Sequence, residues 1–198
     1  SRNPRISADG NYVAFESDAT NLVSGVTDAN ATTDLFLYSR ATGTSVLVSH
    51  RSDSNTTATD GPSNISDNAV SISADGRYLA YVSNGSNLVP GQVETQAGFF
   101  GSTYSREVFL FDRAAGASIL VSRAAGTTVN TPNQLYSERP SLSADGRFVA
   151  YQSNASDIVA GTIDSDYSWR KTYVFDSSSG TSLLVGRAAG TTVRATYP

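Results

Sequence analysis

The strongest constraint on the fold of this chain is a ten-residue pattern that occurs three times. In each copy a hydrophobic residue is followed by Ser-Ala-Asp-Gly, one variable residue and an aromatic-rich tract, at 6–15, 72–81 and 142–151. The turn aspartates of successive copies lie 66 and 70 residues apart. Three units of this length account for nearly all of the 198 residues. A repeated supersecondary unit of this kind indicates an array of similar modules.

Each unit predicts four antiparallel strands. Asp-Gly favours a hairpin turn, because Gly adopts positive φ without steric cost and Asp can bond its own backbone. Aromatic strands follow at 35–38, 108–111 and 172–175, and after a Gly-containing turn come last strands at 46–48, 119–121 and 183–185. In the second strand Tyr12 and Ala14 face one side while Val13 and Phe15 face the other. Both faces are apolar, so we expect each sheet to be covered on both sides.

The Ser-x-Asp-Gly hairpin, the strand after it and the Thr-Gly-Thr-like turn downstream resemble the WD40-like (PD40) repeats of TolB-type β-propellers. The resemblance covers essentially the full chain and implies a propeller whose first strands line a central channel. For function it implies little, since family members include interaction platforms, periplasmic assembly factors and appended domains of hydrolases. The units exceed the roughly 40 to 50 residues of propeller repeats. The extra length lies in loops at 24–33, 90–106 and 160–171.

The predicted fold class is therefore all-β, with three four-stranded antiparallel propeller-type blades. We place the blades at 1–70, 71–140 and 141–198, in one continuous repeat domain. Propellers contain four to eight blades, so three form an open arc or part of a larger propeller. Leaving an apolar end face in water forfeits on the order of 10 kcal/mol, and neither end unit has the polar pattern of a capping repeat.

The repeat pattern also continues without interruption when the end of the sequence is joined to its beginning. Residues 187–198 followed by 1–9 parallel residues 123–145. We therefore expect the missing neighbour to be a similar blade. It is supplied by adjoining blades of a longer chain, by a second copy that completes six blades, or by copies added head to tail.

Composition narrows the environment and the partners. A net charge of -4 gives no field that would neutralise phosphates, so we expect no nucleic-acid partner. No apolar run approaches the roughly 18 residues of a membrane span. The chain has no Cys and no Met, so Ser1 is not a translation start and we expect a processed or excised chain. With only 16% charged residues, an extracellular or periplasmic, secreted protein is favoured.

No catalytic residue is predicted. The single histidine, His50, has Arg123 and Arg187 as its counterparts, which indicates a surface loop position, and no Gly-x-Ser-x-Gly motif accompanies it. The repeated aspartates at 9, 75 and 145 precede Gly and are better explained by turn formation than by a carboxylate ring. Arginines at strand ends, such as Arg113 and Arg123, are expected to pair with acids such as Asp112 and Asp176, or to cover carbonyls.

Three groups of residues remain as candidate sites. Asp28, Asn30 and Asp34 have oxygen-ligand spacing that partly matches calcium loops, against solvated loop residues, and no other cofactor is expected. Five Asn-x-Ser/Thr sequences are candidate glycosylation acceptors: Asn30, Asn55, Asn64, Asn84 and Asn154. Aromatic residues in the long loops are candidate contacts for a protein or a glycan, unless they fold back over a blade edge: Phe99, Phe100, Tyr104, Tyr167 and Trp169.

These observations favour a non-catalytic extracellular scaffold that self-associates through its open end blades, as a filament or surface-layer subunit. One alternative is a propeller portion of a secreted hydrolase, which a catalytic domain beyond Ser1 or Pro198 would indicate. Another is a protein- or carbohydrate-binding module, which glycan binding lost on Trp169→Ala would indicate.

Overall fold

The computed structural model describes residues 1–28, 30–63, 69–95, 105–133, 136–161 and 170–186. Within these ranges the chain forms three four-stranded antiparallel sheets and no helix. The first sheet contains β1 (Arg2–Ile6), β2 (Tyr12–Ser17), β3 (Asp34–Ser39) and β4 (Thr44–Leu47). The second contains β5 (Val70–Ile72), β6 (Tyr78–Ser83), β7 (Glu107–Asp112) and β8 (Ala117–Leu120). The third contains β9 (Ser137–Leu142), β10 (Phe148–Ser153), β11 (Lys171–Asp176) and β12 (Thr181–Leu184).

In every sheet the strands lie in chain order and the sheet is open, so the predicted all-β fold of three blades is confirmed. We call the sheets blade 1, blade 2 and blade 3.

Local chemistry explains the tight turn between the first two strands of each blade. The Asp9 carboxylate accepts hydrogen bonds from Ser7 Oγ (2.5 Å) and the Asn11 amide (2.9 Å), and the Tyr12 amide donates to Ser7 Oγ (3.0 Å). Gly10 takes a positive φ of 69°. These hydrogen bonds, Ser7 first, lower the pKa of Asp9. The same bonds recur at Ser73–Asp75 and Ser143–Asp145, so all three aspartates form turns as predicted.

Blade 3 begins earlier than the expected boundary at residue 141, because β9 starts at Ser137. A bulge interrupts this strand at Arg139, which has a positive φ of 55° and precedes a proline. Asn3 in blade 1 has a φ of 52° and also precedes a proline. A bulge breaks the two-residue alternation on which strand prediction depends, so the upstream half of β9 carries no simple pattern.

The middle blade is buried on both faces. Along β6, Leu79 and Tyr81 pack against blade 1, whereas Ala80 and Val82 pack against blade 3. All four side chains are fully buried. The prediction of two covered faces is therefore confirmed for blade 2, and the covering elements are the neighbouring blades.

Candidate assembly surfaces

The two junctions between blades are built from the same contact. At the blade 1–blade 2 junction, the Tyr12 ring lies against the turn residue Gly76, where an added Cβ would overlap the ring. At the next junction, the Tyr78 ring lies in the same way against Gly146. In each case an aromatic residue that opens the second strand of one blade covers the turn glycine of the following blade.

Backbone hydrogen bonds accompany these aromatic contacts. The Asp9 amide donates to the Ala74 carbonyl at 3.2 Å across the first junction. The Ala74 amide in turn donates to the Ala144 carbonyl at 2.9 Å across the second. The hairpin turns of the three blades are thus linked into a row, which fixes the register of each blade against the next.

Arginines cross the junctions to reach aromatic rings. The Arg113 guanidinium lies 4.3 Å from the centroid of the Tyr12 ring and donates to the Gly76 carbonyl at 3.2 Å. Arg123 lies 4.9 Å from the centroid of the Phe175 ring and donates to the Gly180 carbonyl. These contacts hold blade 1 to blade 2 and blade 2 to blade 3.

Arg113 and Arg123 take the second of their two expected roles, covering backbone carbonyls, rather than pairing with Asp112 and Asp176. The turn arginines Arg77 and Arg147 bind those carboxylates instead, with N–O distances of 2.9 and 2.8 Å. The ion pair with Arg147 lowers the pKa of Asp176 below its ordinary range. Because the turn arginines already occupy the acids within their own blades, the strand-end arginines are available to the neighbouring blade.

The outward face of blade 3 exposes residues whose counterparts are buried or partly buried in the other two blades. Val185 is 52% exposed, whereas its counterparts Val48 and Val121 are both 0% exposed. The Phe148 ring, which corresponds to Tyr12 and Tyr78, is 37% exposed. Blades 1 and 2 bury the valine and partly bury the tyrosine against the following blade, so the outward face of blade 3 is half of an unused junction.

The outward face of blade 1 is the complementary half. Ile6 is 63% exposed, although its counterparts Ile72 and Leu142 are partly buried against hydrophobic clusters. An added Cβ on Gly10 would meet no atom within 4 Å, in contrast to Gly76 and Gly146.

Loop residues of blade 1 cover the centre of this outward face. Leu22, Val23 and Val26 pack over the buried side chains of Phe36 and Leu47. The covering residues are apolar, and they leave the turn end of the face open.

An ionisable residue is buried at the first position of the third strand in every blade. These residues are Asp34, Glu107 and Lys171, each no more than 3% exposed. Burial raises the pKa of Asp34 to about 7, and repulsion from Asp28 and Asp18 adds to this. Burial likewise raises the pKa of Glu107 well above its ordinary value.

The Asp34 carboxylate accepts a hydrogen bond from Ser49 Oγ at 2.8 Å, and Glu107 accepts one from Ser122 Oγ at 2.6 Å. Each of these serine hydroxyl oxygens also accepts a hydrogen bond from the backbone amide of the residue after the acid, Leu35 or Val108. The acids therefore organise the start of the third strand inside the blade.

The calcium candidates Asp28, Asn30 and Asp34 use their oxygens in three different local networks. Asp28 Oδ1 accepts the backbone amides of residues 30 and 31, at 3.2 and 2.8 Å. Asn30 Oδ1 accepts the amide and the hydroxyl of Thr32. In the described part of the chain no three or more acidic or histidine side chains form a metal-binding group. Calcium binding at these residues stays a prediction.

The candidate glycosylation asparagines differ in accessibility. Asn55 is exposed. The side-chain amide of Asn30 donates to two backbone carbonyls of a neighbouring loop, at 2.7 and 3.2 Å. Asn84 and Asn154 each bury their Oδ1 atom without a hydrogen-bond partner. Asn64 lies outside the described residues, as do all five loop aromatics: Phe99, Phe100, Tyr104, Tyr167 and Trp169.

The interpretation of His50 as a surface residue was wrong. Its side chain is only 6% exposed, and its ring meets the Phe111 ring edge-on with centroids 5.9 Å apart. Its Nδ1 lies 2.8 Å from the Arg51 carbonyl oxygen. His50 therefore contacts blade 2 at the position where Arg123 contacts blade 3.

Two small clefts lie at the rim of the junctions. One, of about 210 Å³, lies beside Arg123 and Gly180, and the other, of about 230 Å³, lies beside His50 and Gly116. Both are smaller than the roughly 300 Å³ at which typical ligand pockets begin. The described residues include no apolar helix of membrane-spanning length.

Comparison with known proteins gave structural matches only. No family model and no curated protein matches the sequence. The crystal structure of the tricorn protease matches 88% of this chain and 13% of its own length, at 14% identity and a TM-score of 0.49. TolB from Acinetobacter baumannii matches 93% of this chain and 43% of its own length, at 16% identity and a TM-score of 0.33. A prolyl endopeptidase structure matches 96% and 22%, at 12% identity and a TM-score of 0.44. The chain spans less than half the length of each.

Proposed function

We propose that this chain is a non-catalytic, extracellular scaffold subunit whose end blades join similar blades of other copies, as in a filament or a surface layer. The observation that supports this proposal is the pair of unused half-junctions. Phe148 and Val185 are exposed on blade 3, and Ile6 and Gly10 are open on blade 1. The same positions are covered at both internal junctions.

The energetic reason is the burial of apolar side chains. Burying one large apolar side chain is worth roughly 1.5 to 3 kcal/mol. Ile6, Phe148 and Val185 each keep more than a third of their surface in water in the single chain. A second blade placed as at the internal junctions covers these side chains and adds turn-to-turn hydrogen bonds.

The extracellular address rests on composition. The low charged fraction fits a secreted all-β domain that is stabilised by packing between blades. Function as a scaffold requires only that the blades present surfaces and associate, and the two junctions within the chain supply the pattern of contacts for such an association.

We expect the purified chain to associate reversibly as its concentration rises. Sedimentation velocity over roughly 1 to 100 µM should show a weight-average mass that increases well beyond 20.8 kDa. Because the exposed faces are apolar, association should persist in 1 M salt, where the Debye length is about 3 Å. A well-folded monomer throughout this range would contradict the proposed function.

A further inference from the structure

We propose, on the basis of the scaffold function above, that copies join head to tail in one register, with Phe148 of one copy covering Gly10 of the next. The internal junctions define this register twice. Tyr12 covers Gly76, and Tyr78 covers Gly146. Phe148 is the blade 3 counterpart of these two tyrosines. Gly10 is the blade 1 counterpart of these two glycines.

Gly10 and Phe148 are both accessible for this contact in the single chain. An added Cβ on Gly10 meets no atom within 4 Å, so its surface is open to an incoming ring. The Phe148 ring is 37% exposed, and the Arg147 guanidinium packs on it 4.7 Å from its centroid. Arg77 packs on Tyr78 at 4.8 Å in the same way, and that ring still covers the glycine of the following blade. The arginine of the turn therefore leaves room for the junction.

A second contact, present at the blade 1–blade 2 junction, has an equivalent at the chain ends. Arg40 follows β3 as Arg113 follows β7, and Arg113 stacks on the Tyr12 ring of the preceding blade. In the proposed register, Arg40 of one copy stacks on Phe148 of the preceding copy. The amide of Ala144 donates to the Ala8 carbonyl of the next copy, as the Ala74 amide donates to the Ala144 carbonyl within the chain.

A head-to-tail junction also fits better than a symmetric one. If two copies met through blade 3 alone, no turn glycine would be available to either Phe148 ring, because Gly146 is already covered by Tyr78 of its own chain. The two end faces are different and complementary, which is the condition for a heterologous interface. Such an interface closes into a ring of two copies or extends as a filament.

Two variants, each with one blocked end, test this register. Phe148→Glu places a charge on the outward face of blade 3. Gly10→Asn places a side chain where the incoming ring would lie, and Asn tolerates the positive φ of this turn. We expect each variant alone to self-associate about 100-fold more weakly than the wild type. An equimolar mixture should form a 1:1 complex, through the intact end of each variant, and should not grow further.

The control is Val93→Glu, which changes a 48% exposed valine in a loop that pairs with residues 129–131 of its own chain. This variant should associate like the wild type. Circular dichroism spectra of both blocked variants, recorded at a concentration at which every sample is monomeric, should match that of the wild type and so show that each variant is folded.

The outcomes separate the register from the proposed function. If the wild type associates but the two variants do not complement each other, the head-to-tail register is wrong and the scaffold function stands. If Gly10→Asn associates normally while Phe148→Glu does not, the interface is symmetric through blade 3. If the wild type itself stays monomeric, the scaffold function fails.

Discussion

Gly76→Ala will lower the free energy of unfolding considerably more than Gly10→Ala, although both glycines have nearly the same backbone conformation. Their φ angles are +65° and +69°. Placing Ala at such an angle costs roughly 1 to 2 kcal/mol at either position. At Gly76 the new Cβ also overlaps the Tyr12 ring, which adds about 1 to 3 kcal/mol of overpacking. Urea denaturation of the monomer at low concentration measures both values.

A second pair of glycines gives an internal repeat of this experiment. Gly146→Ala should behave like Gly76→Ala, because its Cβ overlaps the Tyr78 ring. Gly43→Ala should behave like Gly10→Ala, because no atom lies within 4 Å of the new Cβ and its φ is also +69°. Equal losses for all four variants would show that the ring-on-glycine contacts do not hold the blades together.

Asp34→Asn will gain stability over the wild type as the pH rises from about 4 to 7. The ordinary pKa of an aspartate is 3.8, and burial raises that of Asp34 to about 7. Well below pH 3.8 the carboxyl is protonated in both the folded and the unfolded chain, so burial costs little. As the pH rises, the unfolded chain loses this proton and the folded chain retains it, which favours unfolding. At about 1.4 kcal/mol per pKa unit, the wild type has lost on the order of 3 to 4 kcal/mol of its free energy of unfolding near pH 7.

The measurement is the difference in unfolding free energy between Asp34→Asn and the wild type at several pH values. Using the difference cancels the contributions of the other titrating groups. Asp53→Asn is the matched Asp-to-Asn control, because Asp53 lies exposed on the surface rather than inside a blade. Parallel profiles for Asp34→Asn would contradict the placement of an ionisable group inside blade 1.

Local features of the fold could be read from the sequence because their contacts are local. The Ser-x-Asp-Gly turn forms its side-chain hydrogen bonds within five residues, so the same sequence specified the same hairpin three times. Alternating apolar residues then identified the strands and the two apolar faces of each blade. The bulges at Asn3 and Arg139 were not predicted, since an extra residue breaks that alternation, and the proline that follows each of them was the sequence signal that could have found them.

The candidate assembly surfaces were likewise predicted only in part from the sequence. The repeat and its continuity across the chain ends indicated that similar blades should meet. Which side chains make the junction depends on residues that are far apart along the chain. His50 is buried because it meets Phe111, and Arg113 turns to Tyr12 because Arg77 already occupies Asp112. Asp34, a calcium candidate by its spacing, lies inside the blade with Ser49.

The sequence by itself determined the number of blades, their strands and their turns, because these follow from short-range hydrogen bonding and hydrophobic alternation. Only the tertiary structure decided which faces stay open and which charges are buried. Those properties depend on the stacking of one blade on the next, which brings Tyr12 onto Gly76 and Tyr78 onto Gly146 and leaves Phe148 without a covering turn in the single chain.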